Sequence, residues 1–220
     1  MLKVERWIGT VAVLNLGMIA LLSGRPHFSN ASRPNPMLAM EMVRNVEEVD
    51  AVLGEAPSAD REVMRIKEYA DFGFIGGYTG LFVLMGMLLV GEGRVIAISA
   101  VALGVGAAIF DVIENLAILR IVDVDLGHTT QTMIDAIRYP SLIKWALASL
   151  ALGLLGILAL LTRRPGLRMV GALNVVAALL GLCGLYDHVL FHWFGIPVAG
   201  ALVGLGILYF RPYYRNAQAA

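Results

Sequence analysis

The chain has 220 residues, 58% of them hydrophobic and only 15% charged, with a mean hydropathy of +0.74. A soluble domain carries roughly a quarter charged residues, and no water-soluble fold of this length can hide so much apolar surface, because surface shrinks too slowly with size. That excludes a soluble enzyme or binding module, and the exact balance of 17 basic and 17 acidic residues removes the basic footprint of a nucleic-acid partner.

The composition predicts an all-α, polytopic transmembrane helix bundle that forms one integral membrane domain over residues 1–220. Spanning about 30 Å of hydrocarbon takes about 20 apolar residues, and six segments qualify: 7–23, 69–90, 95–119, 140–162, 169–186 and 195–210. The first follows MLKVER and has the look of a secretory signal. Its apolar part is long for one, and residues 21–24 lack a small-residue cleavage site, so a retained first helix is expected.

After the first span, Asn35-Pro36 makes a favourable helix start. Leu38, Met42, Val46, Val49 and Leu53 then recur at helical spacing up to Gly54. The segment 36–53 is expected to be one amphipathic helix at the outer membrane interface, acting as a lid or packing over the ends of the spans.

The short connections and both ends hold Lys3, Arg6, Arg94, Arg163, Arg164, Arg168, Arg211 and Arg215 against Glu5 and Glu92. The other connections are acid-rich. The positive-inside rule places both termini in the cytoplasm, and the expected location is a bacterial inner membrane.

With that topology, the strongly polar residues inside the spans fall at one depth. Asp71 of YADFGFIGGY lies just inside the outer boundary of the second span. Asp111 and Glu114 of FDVIENLAIL lie about 13 and 9 Å before Arg120 at 1.5 Å per residue. Lys144 of SLIKWAL is four residues into the fourth span, and Asp187, His188 and His192 sit at the outer end of the fifth. Asp111, Glu114 and Asn115 follow i, i+3, i+4 and share a helix face. Asp71 and Tyr78 share another. Gly73, Gly76, Gly77 and Gly80 form small-xxx-small pairs that let a neighbouring helix approach closely; if that helix is the third span, the two carboxylate-bearing helices come within reach of each other.

A charge at the bilayer centre costs at least about 2.5–3.5 kcal/mol and should face a partner inside the bundle. Lys144 is the expected counter-ion of Asp111 or Glu114, with Arg138 reaching in from the loop. Three carboxylates against one lysine leave a charge excess that a proton or a bridging cation must make up. The candidate ligand or ion site is therefore Asp71, Tyr78, Asp111, Glu114, Asn115 and Lys144.

YDHVLFHWFG places His188 and His192 at i, i+4 beside Asp187, a spacing that can share one metal ion; an interfacial His/Trp/Tyr belt is the alternative. Phe191, Trp193, Tyr213 and Tyr214 read as interface anchors. Cys183, the single cysteine, reads as a small buried hydrophobe, and no cofactor is implied.

The motifs D-F-x-F-I-x-x-Y (71–78), D-x-x-E-N (111–115) and K-W (144–145) resemble a pattern in small polytopic bacterial membrane proteins of unassigned function. Pro36, Leu38 and Glu41 of P-x-L-x-x-E belong to the same resemblance. It implies that these polar residues travel together and brings no activity with them.

Three classes of function follow. The cluster binds or passes a cation, a proton or a polar lipid headgroup. Alternatively, paired carboxylates act as general acid and base on a lipid or isoprenoid, although D-D-x-x-D, H-E-x-x-H and G-x-S-x-G are all absent from the sequence. As a third class, the network only pins helices together in a structural or accessory subunit. The implied partners are the lipid bilayer and, at the cluster, a lipid, a cation or a small polar ligand. A homo-oligomer is compatible with the sequence.

Overall fold

The computed structural model describes residues 2–29, 35–187 and 190–210. Among these the chain is all helix, with no strand. The α-helices are α1 (Leu2–Ser23), α2 (Pro36–Glu41), α3 (Val46–Leu53), α4 (Ala59–Leu89), α5 (Arg94–Val122), α6 (Gln131–Leu161), α7 (Pro165–Gly184) and α8 (Phe191–Leu205). A 3-10 turn, Leu126–His128, precedes α6, and α8 ends in a π-helical turn, Gly206–Phe210. Six helices are long and apolar enough to cross a membrane: α1, α4, α5, α6, α7, and α8 with its π-helical turn. Their outward faces carry large apolar side chains, including Trp7, Leu14, Val95, Ile113, Leu116, Leu161, Leu179 and Ile196. Only lipid tolerates such continuous apolar exposure. The protein is a multi-pass membrane helix bundle.

The described residues fall into two compact units. The first comprises Met1–Gly17, Gly76–Ala108 and Trp145–Ala220, and is built by close helix contacts at glycines. Phe82 of α4 lies against Gly104 of α5, and Val101 of α5 against Gly86 of α4; a Cβ at Gly156 of α6 would stand 2.8 Å from the carbonyl of Gly171 on α7. Trp145 packs on Phe191 and Phe194, with ring centroids 5.0 and 5.1 Å apart. Arg164 donates to Glu5 Oε1 at 2.6 Å and ties the α6–α7 turn to the start of α1. Phe191 is thus buried and is no interface anchor, while Trp193 is exposed; Tyr213 and Tyr214 lie outside the described residues. Cys183 is exposed rather than buried.

The second unit comprises Met18–Ile75 and Ile109–Lys144. Its core joins Met40, Val43, Val49, Val52 and Leu53 of the segment after α1 to Met64 of α4, Ile118 and Ile121 of α5, and Ile134 and Ile137 of α6. That packing corrects two sequence expectations. The segment 36–53 is two short helices rather than one, because Asn45 starts α3 anew: its side chain accepts from Glu48 N at 2.9 Å while Glu48 Oε2 accepts from Arg44 N at 2.8 Å, a reciprocal cap. Its apolar face packs on α4, α5 and α6, the packing role expected as the alternative to a lid. The residues from 59 to 68, expected in a loop, are the first three turns of α4, with Met64 fully buried.

Pro140, expected to open the fourth span, lies inside α6. A proline there forfeits one helical hydrogen bond, but Ile134 and Ile137 are fully buried and anchor the turns before it. Glycines of α4 also meet α1. Within this unit a Cβ at Gly73 would lie 3.1 Å from Met18, and within the first unit one at Gly77 would lie 2.8 Å from Asn15 Oδ1.

Buried cations close the helix ends of the second unit. Arg61 Nη1 donates to the carbonyls of Ile121, Val122 and Val124 at 3.2, 3.0 and 2.7 Å, ending α5, and Lys67 Nζ donates to those of Leu22 in the last turn of α1 and Gly24 just beyond it. Terminal carbonyls of a buried helix need such partners. Replacing Arg61 with methionine leaves them unsatisfied and is expected to cost about 2 kcal/mol. Denaturant unfolding in detergent, followed by helical circular dichroism, checks this; an unchanged midpoint would show that the cap contributes nothing.

Candidate functional site

The polar residues converge within the second unit. On α5, Asp111, Glu114 and Asn115 are 6%, 0% and 2% exposed, whereas Ile113 and Leu116, on the turn between them, are 45% and 57% exposed. The helix has turned its acids inward and its aliphatic residues towards lipid. The i, i+3, i+4 spacing makes that possible without distorting the backbone.

Lys144 of α6 lies at the centre. Its Nζ donates to Asp111 Oδ1 at 2.7 Å and to Glu114 Oε1 at 3.0 Å, and stands 2.8 Å from Glu114 Oε2. A third carboxylate, Glu41 Oε2, is 3.3 Å away. Glu41 is the last residue of α2, a helix opened by Asn35 (φ 64°), whose side chain accepts from Leu38 N at 3.4 Å. Fully buried Met40 and Val43 flank Glu41 in sequence and hold it in place.

From α4, Asp71 Oδ2 accepts from Asn115 Nδ2 at 2.8 Å. Three residues earlier, Glu68 is 2% exposed, and its buried Oε2 has no hydrogen-bond partner among the described residues. The charges of Asp71, Glu41, Lys144 and Asp111 all reach the Glu68 carboxylate. Ser141, one turn before Lys144, is fully buried and its Oγ likewise has no such partner.

Of the residues singled out in the sequence, Asp71, Asp111, Glu114, Asn115 and Lys144 thus lie together in this unit. Arg138 is a residue of α6 rather than of a loop, and the ion pairs described above give Lys144, not Arg138, as the cation facing the acids. Tyr78 belongs to the first unit, where it meets Phe82 edge-on at 6.0 Å. Asp187 and His192 also belong to the first unit and are exposed, and His188 lies outside the described residues. Among the described residues no three His, Cys, Asp or Glu side chains are spaced to hold a metal ion.

Sequence reasoning named Glu41 only through the P-x-L-x-x-E resemblance, outside the candidate site, and passed over Glu68. Glu41 falls on the polar side of an amphipathic pattern, where a charge ordinarily meets water. Glu68 stands one residue before the apolar run at 69. The signal for it was its i, i+3 relation to Asp71, which puts both on one face of a helix that continues past the apolar boundary.

The network counts five carboxylates (Glu41, Glu68, Asp71, Asp111, Glu114), one ammonium and one amide. Two grooves on the protein, one lined by residues including Leu116, Arg120 and Thr132 and another by residues including Leu88, Glu92 and Arg164, contain none of these groups. Glu41, Asp111 and Glu114 close on Lys144, and Asp71 on Asn115. No family model, curated protein or solved structure matches the chain.

Proposed function

We propose that this membrane protein binds, and passes, a proton or a small cation at the carboxylate network around Lys144. One observation carries the reading: four more carboxylates than ammonium groups are gathered in a buried setting. Uncompensated charge in a low-dielectric interior is prohibitively costly, so protons or a bound cation must complete the balance.

In this reading the network lies at the outer leaflet of a bacterial inner membrane, with both termini cytoplasmic; the basic short connections support that orientation. The resemblance that groups D-F-x-F-I-x-x-Y, D-x-x-E-N and K-W supports treating the residues as one site.

Asp71→Asn tests the proposal, since Asp71 hydrogen-bonds Asn115 and makes none of the ion pairs of Lys144 described above. In liposomes under imposed proton and salt gradients, the variant is expected to lose at least about tenfold of the wild-type flux, in line with loss of one proton-transfer group, at an unchanged melting temperature. Equal flux in both proteins sinks the proposal. The three-fold engagement of Lys144 favours a second reading, a purely structural pin; it requires lowered melting without any change in flux.

A further inference from the structure

We infer that Glu68 is a proton-binding site and that Asp71 is the group through which its proton exchanges. The inference rests on the reading of the network as a proton or cation site, and names the ligand.

Glu68 is the group on which an anion is least supported. Its Oε2 is buried without a hydrogen-bond donor, although a buried polar oxygen ordinarily finds one. Charged groups that act on it from four helices include Asp71 on α4, Glu41 on α2, Asp111 on α5 and Lys144 on α6. Three of these four repel a second negative charge. The fourth, Lys144, already stands within 3.3 Å of Glu41, Asp111 and Glu114.

A proton on Glu68 turns the unpartnered oxygen into a neutral acid and removes one charge without requiring space. A metal ion would need several convergent ligands, which the described residues do not offer.

Exchange requires a route. Asp71 is the next acid along the same helix face, one turn from Glu68, and it is partly exposed. When the proton moves, the O–H bond on Glu68 breaks as one forms on the Asp71 carboxylate, and the pair keeps its total charge. Asn115, donating to Asp71 Oδ2 at 2.8 Å, holds that carboxylate in position and leaves its other oxygen to take the proton.

Infrared spectroscopy of the full chain in detergent at neutral pH tests this. The wild type is expected to show the carbonyl stretch of a protonated carboxylic acid, displaced when H2O is replaced by D2O. Glu68→Gln is expected to abolish that band, and Asp71→Asn to slow its deuterium exchange at least about tenfold. Should Glu68→Gln not fold, Glu68→Asp must move the band. A band unmoved by substitution at Glu68 overturns the assignment, and exchange in Asp71→Asn as fast as in the wild type overturns the exit role.

Two wild-type outcomes separate this inference from the broader reading. If the acid band is absent but calorimetry with sodium, potassium or calcium chloride shows binding, the proton falls and the cation site stands. If the band is absent and none of these ions binds, both fall.

Discussion

Replacing Lys144 with alanine is expected to lower the unfolding free energy of the detergent-solubilised protein by about 3–5 kcal/mol, the range for removing one partner of a buried ion pair. The ammonium stands 2.7 Å from Asp111, 2.8 Å from Glu114 and 3.3 Å from Glu41, and its side chain is 9% exposed. Without it those three carboxylates face one another, and like charges about 4 Å apart repel by about 4 kcal/mol at the effective dielectric of a protein surface. Each would have to take up a proton, draw in water or move apart.

The triple variant Lys144→Met, Asp111→Asn, Glu114→Gln separates charge from packing. Neutral groups of similar size often replace a buried pair at little cost, so this variant is expected to recover most of the lost stability while abolishing any flux that depends on the network. Unfolding midpoints by circular dichroism decide. A wild-type midpoint for Lys144→Ala would show that the ammonium does not hold the acids together. A triple variant as unstable as the single would show that neither the aliphatic stem, which methionine retains, nor the Asp111 and Glu114 charges account for the loss, and that the remaining Glu41 carboxylate still requires the ammonium.

The spans were legible in the sequence because hydrocarbon imposes a length and a composition that few other environments require. Their ends were not. The stretch ADREVMRIKE at 59–68 reads as a charged loop, yet it is helical because Val63 and Met64 bury against the second unit while Arg61 and Lys67 close the ends of other helices. Tertiary contacts there override local character. The same holds for the turns before Pro140.

Asp111, Glu114, Asn115 and Lys144 were legible for a simpler reason. Polar residues inside an apolar run have nowhere to go but inward, so their spacing gives the face and their depth gives the partners. Glu41 obeys no such constraint, since at a helix end outside the runs a carboxylate is ordinarily solvated; only the fold of 35–53 over the second unit brings it to Lys144. The glycines of α4 show the complementary limit. Their spacing says that a backbone can come close, but not which one, and it is α1 whose Met18 and Asn15 occupy the space.

The glycines of α6 and α7 give the second large effect. A Cβ on Gly171 would lie 2.7 Å from the carbonyl oxygen of Gly156, 2.9 Å from Ala159 Cβ and 3.0 Å from Leu160 N; one on Gly156 would meet Gly171 O at 2.8 Å. These obstacles are mostly backbone, which cannot rotate away as a side-chain tip does. Between lipid-embedded helices, close packing also supplies much of the association that water would otherwise drive. Gly171→Val is therefore expected to destabilise by about 3 kcal/mol, the upper end for overpacking. Gly76→Val is the control, because nothing lies within 4 Å of a Cβ at that position, and exposed substitutions of that kind shift stability by about 0.5 kcal/mol or less. Unfolding both variants in the same detergent compares a blocked helix crossing with an open helix face. If Gly171→Val unfolds at the same midpoint as Gly76→Val, α6 and α7 do not cross at these glycines, and the first unit must be held by its aromatic contacts instead.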